Sequence, residues 1–192
     1  RPFGSDENQY LEDFNWLNHS ISPSKIEDDD FRIRVGEGTN SYDVSVLNIS
    51  GTSFGSISPK AIQSFSAGAK KGAFAHNTGE GSLSKYHERG GGDTIWQIST
   101  GYFGCRTQDG TFDEIQFAEK AKLKQVKMIE IKLSQGAKPG HGGMLLGAKV
   151  SPEIAEARNV PAYQDVISPH KHSEFSTPGE LLKFVKKLRE LS

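Results

Sequence analysis

From residue 43 onward the chain repeats one unit, in which a strand leads through a glycine-rich loop into a helix. In the first copy, branched side chains over residues 44–49 predict a strand, and the loop 51–57 follows it. Ser58 and Pro59 then predict the start of a helix, because a serine hydroxyl caps free N–H groups and proline suits the first helical turn. Strands that alternate with helices in this way indicate an α/β fold with a mainly parallel sheet.

The same order recurs along the chain. Residues 112–123 predict a helix and residues 126–133 a strand, and a long glycine-rich loop precedes a helix that opens at Ser151. The last predicted helix, residues 181–191, follows the capping-box pair Thr177 and Glu180. Ahead of the repeat, residues 31–35 alternate as an edge strand does, and residues 10–17 have helical spacing. We therefore expect a lead-in segment of residues 1–42 and an α/β domain of residues 43–192.

Two α/β architectures share this pattern. Both the (β/α)₈ barrel and the doubly wound sheet carry their ligand loops at the carboxyl ends of the strands, so the pattern alone does not choose between them. A TIM-type (β/α)₈ barrel takes about 250 residues, and this chain holds roughly three or four strand–helix units. We expect the first half of such a barrel, and we interpret both chain ends as cut.

Composition narrows the class of protein. Lys plus Arg number 23 and Asp plus Glu number 24, a balance that argues against nucleic acid or an anionic membrane as the main partner. No apolar run approaches the roughly 20 residues that cross a bilayer. With one cysteine, Cys105, these residues form no internal disulfide and no multi-cysteine iron–sulfur site. A cytoplasmic protein is predicted, and a membrane anchor upstream of Arg1 stays open.

Two polar loops are candidate ligand sites. Ser53 and Ser56, in the loop after the first strand, offer hydroxyl groups to a planar ligand; the alternative is a tight turn with a helix cap. Glu80 lies between two glycines in the segment 77–81, where a carboxylate could orient a substrate or act as an acid or base. The alternative for that segment is an exposed turn.

Charged and metal-ligating residues supply further candidates. Lys132 ends a strand that looks buried, where a charge is costly unless it is paired, and Lys138 lies in the long loop that follows. Their ammonium groups could hold an anionic cofactor edge or a dicarboxylate; the alternative is two solvated lysines. Three histidines cluster in the sequence: His141, His170 and His172. The H-x-H spacing of His170 and His172 could bind a metal ion, but no third ligand at a recognisable spacing supports this over a structural role.

Four stretches, residues 53–58, 77–81, 97–104 and 129–143, resemble in this order the FMN-binding central domain of the glutamate synthase family. The resemblance covers about residues 43–192. It implies a (β/α)₈ barrel with FMN at the carboxyl ends of the strands. The reaction it implies is hydride transfer from reduced FMN to 2-iminoglutarate, which forms from 2-oxoglutarate and ammonia, or to a related imino or keto acid.

The resemblance also implies a role for each matching residue. Ser53, Ser56 and Gln97 would contact the flavin, and Lys132 would lie near its ring. The substrate pocket would contain Gln135, with Lys138 and Arg158 as carboxylate partners. Glu80, Lys132 and Lys138 are the residues to which the resemblance gives catalytic roles.

The chain departs from the family pattern at four other positions near these residues. Thr52 stands for a methionine, Ser82 for a glycine, His141 for a glutamate and Met144 for a glutamine. The family's iron–sulfur cysteines lie downstream of the matched region, so a cluster is expected only outside this chain. The electron donor is left open between a reduced pyridine nucleotide and ferredoxin, and a homo-oligomer is compatible with the sequence.

Two alternatives compete with an FMN enzyme. One is a non-catalytic piece that acts as a folding or association unit, since an incomplete barrel leaves a sheet edge open to pairing. The other is a metal-dependent lyase or isomerase on the same barrel, which depends on His170 and His172.

Overall fold

An antiparallel hairpin precedes the main sheet. In the computed structural model, which describes residues 18, 20–23, 25, 31–135 and 140–192, strand β1 (Arg32–Val35) pairs with β2 (Tyr42–Ser45). The edge strand predicted at residues 31–35 is confirmed. The strand predicted over 44–49 is wrong in extent: its first half pairs with β1, the chain bends at the exposed Val46 and Leu47, and Ile49 forms a parallel bridge with His76.

Three parallel strands form the sheet that organises the domain. They are β3 (Ala75–Asn77), β4 (Asp93–Ile98) and β5 (Val126–Ile131), hydrogen-bonded in that order. The parallel sheet agrees with the predicted α/β class. The (β/α)₈ barrel stays a prediction, as does the boundary between a lead-in segment and an α/β domain at residues 42 and 43. In the structure, residues 31–192 form one compact unit. A short antiparallel pair follows, β6 (Met144–Leu145) with β7 (Val166–Ile167).

In the part of the chain that the structure describes, five α-helices connect or flank these strands. Their bounds are Pro59–Gly72 (α1), Lys85–Gly90 (α2), Glu114–Ala121 (α3), Pro152–Arg158 (α4) and Pro178–Leu191 (α5). The predicted caps are confirmed: the hydroxyls of Ser58, Ser151 and Thr177 each accept a backbone N–H of the first helical turn. α2 and the two strands that flank it were missed, because each is short and lies among glycines and polar residues.

Two apolar clusters hold the layers together. One joins α1, α4 and the β6–β7 pair around Phe54, Ile62 and Ile154. The other fixes α3 and α5 against β4 and β5 through side chains that include Trp96 and Phe117, which stack at 5.5 Å between ring centroids. Each fully buried side chain of this size stabilises the fold by about 1.5–3 kcal/mol. The second cluster fixes β4 and β5, and the polar loops lie at the carboxyl ends of these strands and of β3.

Two predictions fall outside the described residues: the helix over residues 10–17, and the position of Lys138. Among the described residues, no helix is long and apolar enough to cross a membrane.

Candidate functional site

The polar loops meet where the parallel strands end. A 3₁₀ turn, Gly79–Gly81, follows β3; Ser99 follows β4; and Lys132 follows β5. In open α/β sheets this edge is where ligands bind, because successive loops converge there.

Glu80 is the centre of a hydrogen-bonded network at this edge. Its Oε2 accepts from Gln135 Nε2 at 2.6 Å and Ser99 Oγ at 3.1 Å, and lies 3.5 Å from Lys132 Nζ. Lys132 also donates to Gln135 Oε1 at 2.9 Å. The side chains of Glu80 and Lys132 are only 15% and 26% exposed. Three of the predicted residues therefore form one network, and the solvated-lysine alternative is wrong for Lys132.

The loop that carries Glu80 is packed rather than exposed. Asn77 and Thr78 are buried, and a Cβ placed on Gly79 would lie 2.8 Å from the backbone nitrogen of Ser53. The exposed-turn alternative for residues 77–81 is therefore wrong. Gly143 approaches from the other side, where a Cβ would overlap Glu80 Oε1. Glycine at these positions lets three loops close around one carboxylate.

Ser82 ends the same turn in an unusual backbone conformation. Its φ is 69° and its ψ is 174°, a region that is essentially restricted to glycine. Its side chain is fully buried, and its hydroxyl has no hydrogen-bond partner in the part of the chain that the structure describes.

Gln97 lies near the carboxyl end of β4, and one polar atom of its side-chain amide makes no hydrogen bond among the described residues. Its Nε2 donates to a carboxylate oxygen of Glu130 on the neighbouring strand, whereas its buried Oε1 has no partner among the described residues. A Cβ on Gly51 would lie 3.3 Å from Gln97 Nε2. The side-chain amide of Gln97 therefore faces the backbone of Gly51.

A cavity of about 100 Å³ lies next to the Glu80 network. Ser53, Ser56 and Arg158 line it together with Glu80, so four of the predicted residues share its wall. The two serines are also bonded to each other, since Ser56 Oγ donates to the Ser53 carbonyl at 2.6 Å. The loop is thus a tight turn that forms its own hydrogen bonds, as the alternative predicted. The same loop also lines the cavity.

Arg158 is a buried cation with a fixed position. It is 4% exposed, its Nη2 donates to the Phe54 carbonyl at 3.0 Å, and its guanidinium lies 5.0 Å from the centroid of the Phe103 ring. Burial lowers the pKa of Arg158, and the negative charge of Glu80 partly opposes that shift. Its Nε has no partner within the described ranges. Such a group is suited to bind an anion.

The histidines that suggested a metal site have different environments in the structure. His172 is 2% exposed, and its two ring nitrogens contact Tyr102 Oη at 3.0 Å and the Lys132 carbonyl at 2.8 Å. It is a structural residue, so the metal alternative loses one of its two ligands. His141 and His170 line a shallow cleft beside Lys132. Across residues 31–135 and 140–192, no group of three or more His, Cys, Asp or Glu side chains could hold a metal ion.

Another pair of histidines is buried between the sheet and its helices. The rings of His76 and His87 lie 5.0 Å apart, and burial lowers their pKa values to about 4 and about 3. Both are therefore neutral at physiological pH. Cys105 is fully buried, and burial raises the pKa of its thiol to about 12, so this cysteine is a packed core side chain.

Sequence reasoning missed several residues of the site. Ser99 donates to Glu80, Glu130 accepts from Gln97, and Phe103 supports Arg158. Glu130 had a detectable signal, a carboxylate within an apolar strand. Ser99 and Phe103 lie in the stretch 97–104 that carries the resemblance, but their contacts could not be foreseen because β4 was not recognised as a strand.

Known proteins match most of this chain. The family described as "Conserved region in glutamate synthase" matches residues 22–192. The glutamate synthase large subunit-like protein YerD of Bacillus subtilis (strain 168) is 41% identical over 173 residues, which cover 88% of this chain and 33% of that protein. An archaeal glutamate synthase (NADPH) of Methanocaldococcus jannaschii is 30% identical over 178 residues, or 93% of this chain and 32% of that protein.

A third relative, a glutamate synthase large subunit-like protein of Rhizobium meliloti (strain 1021), is 33% identical over 147 residues, or 76% of this chain and 30% of its own length. The chain thus spans about a third of the length of these relatives. Since the family match covers nearly all of the described residues, the chain belongs to the glutamate synthase family.

Proposed function

We propose that these residues are part of a (β/α)₈ barrel that binds FMN and reduces a 2-imino acid, either 2-iminoglutarate or a related imino or keto acid. The observation that supports this most is the joining of Glu80, Lys132 and Gln135 in one network beside the buried Arg158. The network combines an anion-binding cation with hydrogen-bonding groups at the sheet edge where α/β proteins bind ligands.

The residues present fit a flavin ring. The edge of a flavin carries an N–H group and carbonyl oxygens, which match the unused carbonyl of Gln97 and the ammonium of Lys132. Gly51 lets the loop backbone pack close to the Gln97 amide, where even a Cβ would be a tight contact. Ser53 and Ser56 add hydroxyl groups next to the cavity. Reduced FMN, when bound, supplies a hydride.

The protein's own groups would bind the substrate and supply a proton. A 2-oxo acid and ammonia condense to the imino acid with loss of water; a hydride at C2 and a proton at nitrogen then give the amino acid. Arg158 would hold the substrate carboxylate. Glu80, fixed by three donors, would accept an N–H of the imine, and Lys132 would donate the proton. A role for Lys138 as a second carboxylate partner stays a prediction, since it lies outside the described residues.

The electron donor is proposed from the name of a relative. The archaeal relative is named for NADPH, so a reduced pyridine nucleotide rather than ferredoxin is proposed as the source of electrons for the whole protein. An iron–sulfur cluster, a homo-oligomer and a cytoplasmic location stay predictions.

Gel filtration of the chain after incubation with FMN tests the proposal. We expect the visible flavin band to elute with the protein. Gln97→Leu and Lys132→Met should each weaken FMN binding by about ten-fold, because each removes one hydrogen bond of the size that a polar or charged group contributes. Lys127→Met is the matched control: Lys127 is an exposed lysine on the same strand, away from its carboxyl end, and its loss should leave binding unchanged.

A folded chain that retains no flavin would contradict FMN binding by these residues. That result would favour the alternative in which the chain is a folding or association unit. Circular dichroism of each variant separates loss of binding from loss of structure.

A further inference from the structure

The segment that follows β7 is bonded to the loop after β4 and to the end of β5. Thr100 Oγ1 donates to the Pro169 carbonyl at 2.6 Å. Further along the same segment, the ring of His172 lies between Tyr102 Oη and the carbonyl of Lys132, with contacts of 3.0 Å and 2.8 Å. Tyr102 belongs to the loop after β4, and Lys132 directly follows β5. One buried histidine therefore links the carboxyl ends of two neighbouring strands.

The chemistry of its partners fixes where His172 carries its proton. The Lys132 carbonyl can only accept a hydrogen bond, so Nε2 of His172 is protonated and donates to it. Burial lowers the pKa of His172, although the bond to Lys132 and the charge of Glu174 oppose that shift, so the ring is neutral at physiological pH. A neutral ring has one proton, so Nδ1 accepts a hydrogen bond from the Tyr102 hydroxyl. The Tyr102 oxygen in turn accepts the Glu174 backbone N–H at 3.3 Å.

Neighbouring rings hold the imidazole in this orientation. Phe175 stacks on His172 with 4.5 Å between ring centroids, and the Tyr102 ring meets it edge-on at 5.4 Å. Tyr102 has a φ of 46°, a left-handed conformation that is unusual for a bulky side chain. Such a conformation persists only where the surrounding structure determines it, and it is commonest at functional sites. The His172 ring therefore cannot turn away from the Lys132 carbonyl without losing several contacts.

These contacts fix the backbone from which the Lys132 side chain extends. The Lys132 N–H donates to the Ile98 carbonyl at 2.8 Å, and its own carbonyl accepts from His172. The side chain then donates to Gln135 Oε1 at 2.9 Å and lies 3.5 Å from Glu80 Oε2. A displacement of about 1 Å in a group that takes part in a reaction can cost about a hundred-fold in rate. The position of the Lys132 backbone therefore matters for the whole network.

We propose that His172 is a positioning residue for Lys132. Its Nε2–H group fixes the Lys132 backbone and thereby places the ammonium group that contacts the flavin edge and donates the proton. His172 acts through Lys132 and is not itself a catalytic residue. This inference rests on the proposed function, since it concerns a residue of the same site.

Two amide replacements of His172 form a matched pair. The amide nitrogen of glutamine is as many bonds from Cα as Nε2 of histidine, whereas that of asparagine corresponds to Nδ1. Both replacements remove the ring and its stack on Phe175, but only His172→Gln keeps a donor that reaches the Lys132 carbonyl. In a spectral titration of the full chain with FMN, His172→Asn should weaken binding by about five-fold, the factor that one hydrogen bond contributes, and His172→Gln should leave it unchanged. Equal weakening by both variants, or none by either, would overturn the proposal.

Hydrogen exchange measures the position of Lys132 without any flavin. The reference is the backbone amide of Thr94, which donates to the Gln125 carbonyl at 2.7 Å at the opposite end of the β4–β5 pair. His172→Asn should speed exchange of the Lys132 amide by about five-fold and leave Thr94 unchanged, whereas His172→Gln should change neither. If the two amides exchange faster together, His172 stabilises the fold as a whole, and the positioning role is wrong.

Failure of this inference can be distinguished from failure of the proposed function. A folded wild-type chain that retains no flavin refutes FMN binding by these residues, and the exchange pattern still decides whether His172 fixes Lys132. If neither variant folds, nitrogen NMR of the wild-type His172 ring decides. A proton on Nε2 with none on Nδ1 supports the proposal, and a ring without a proton on Nε2 overturns it, because such a ring has no donor for the Lys132 carbonyl.

Discussion

Ser82 has a backbone conformation that glycine adopts without strain, and we expect Ser82→Gly to stabilise the fold. A non-glycine residue in this region costs about 1–3 kcal/mol, and a buried hydroxyl without a partner costs about 1–3 kcal/mol more. Two effects oppose the gain: glycine loses about 0.5–1 kcal/mol more backbone entropy on folding, and removal of the side chain leaves a void worth about 1 kcal/mol. The net expectation is about 2 kcal/mol of added stability.

Urea and thermal unfolding measure this difference. For a domain of this size, about 2 kcal/mol corresponds to a rise in Tm of roughly 4–8 °C. Ser84→Gly is the matched control, because Ser84 has an ordinary φ of −121° and its hydroxyl contacts His87 Nδ1 at 2.9 Å. That variant should lose stability. If Ser82→Gly destabilises the protein as Ser84→Gly does, the backbone of residue 82 is not strained and the reasoning fails.

Three further predictions concern stability and reactivity. Because burial lowers the pKa values of His76 and His87 to about 4 and about 3, their stabilising neutral state is fully present above pH 6.5. Stability should fall by about 2 kcal/mol per histidine between pH 7 and pH 5 in urea unfolding; a flat profile would contradict this. Gly143→Ala should displace the Glu80 carboxylate, because its methyl group overlaps a carboxylate oxygen, and should weaken the retention of FMN in gel filtration. Gly68→Ala, in the exposed middle of α1 with open space around it, should add about 1 kcal/mol of stability in urea unfolding. Cys105 should react with a thiol reagent only after unfolding, which absorbance of the released chromophore would follow; rapid reaction of the native protein would refute its burial.

Elements with a local signal could be predicted from the sequence. The helices that begin after Ser58, Ser151 and Thr177 were found because the cap, the proline and the apolar spacing all lie within one turn of each other. The strand predicted over residues 126–133 was found, although it ends at Ile131, because apolar and branched side chains make up most of it.

What could not be predicted depends on contacts between distant segments. The 77–81 loop reads as an exposed turn, and it is buried because the backbone of residues 51–55 packs directly on its glycines. The segment 44–49 reads as one strand, and it divides because β1 and β3 each pair with part of it. The candidate site was located through the resemblance, whereas the contacts of Glu80 with residues that follow β4 and β5 became evident only from the three-dimensional arrangement.

The close approach of Gly143 to Glu80 has a consequence for how this family's sequences can change. Any side chain at position 143 needs the space that the carboxylate at position 80 occupies, so position 143 stays glycine as long as the carboxylate is kept. A lineage that lost the carboxylate would be free to gain a side chain at 143, and the order of the two changes would matter, since the reverse order passes through a protein whose site is blocked. A side chain at position 143 should therefore be found only in relatives that lack the carboxylate at position 80.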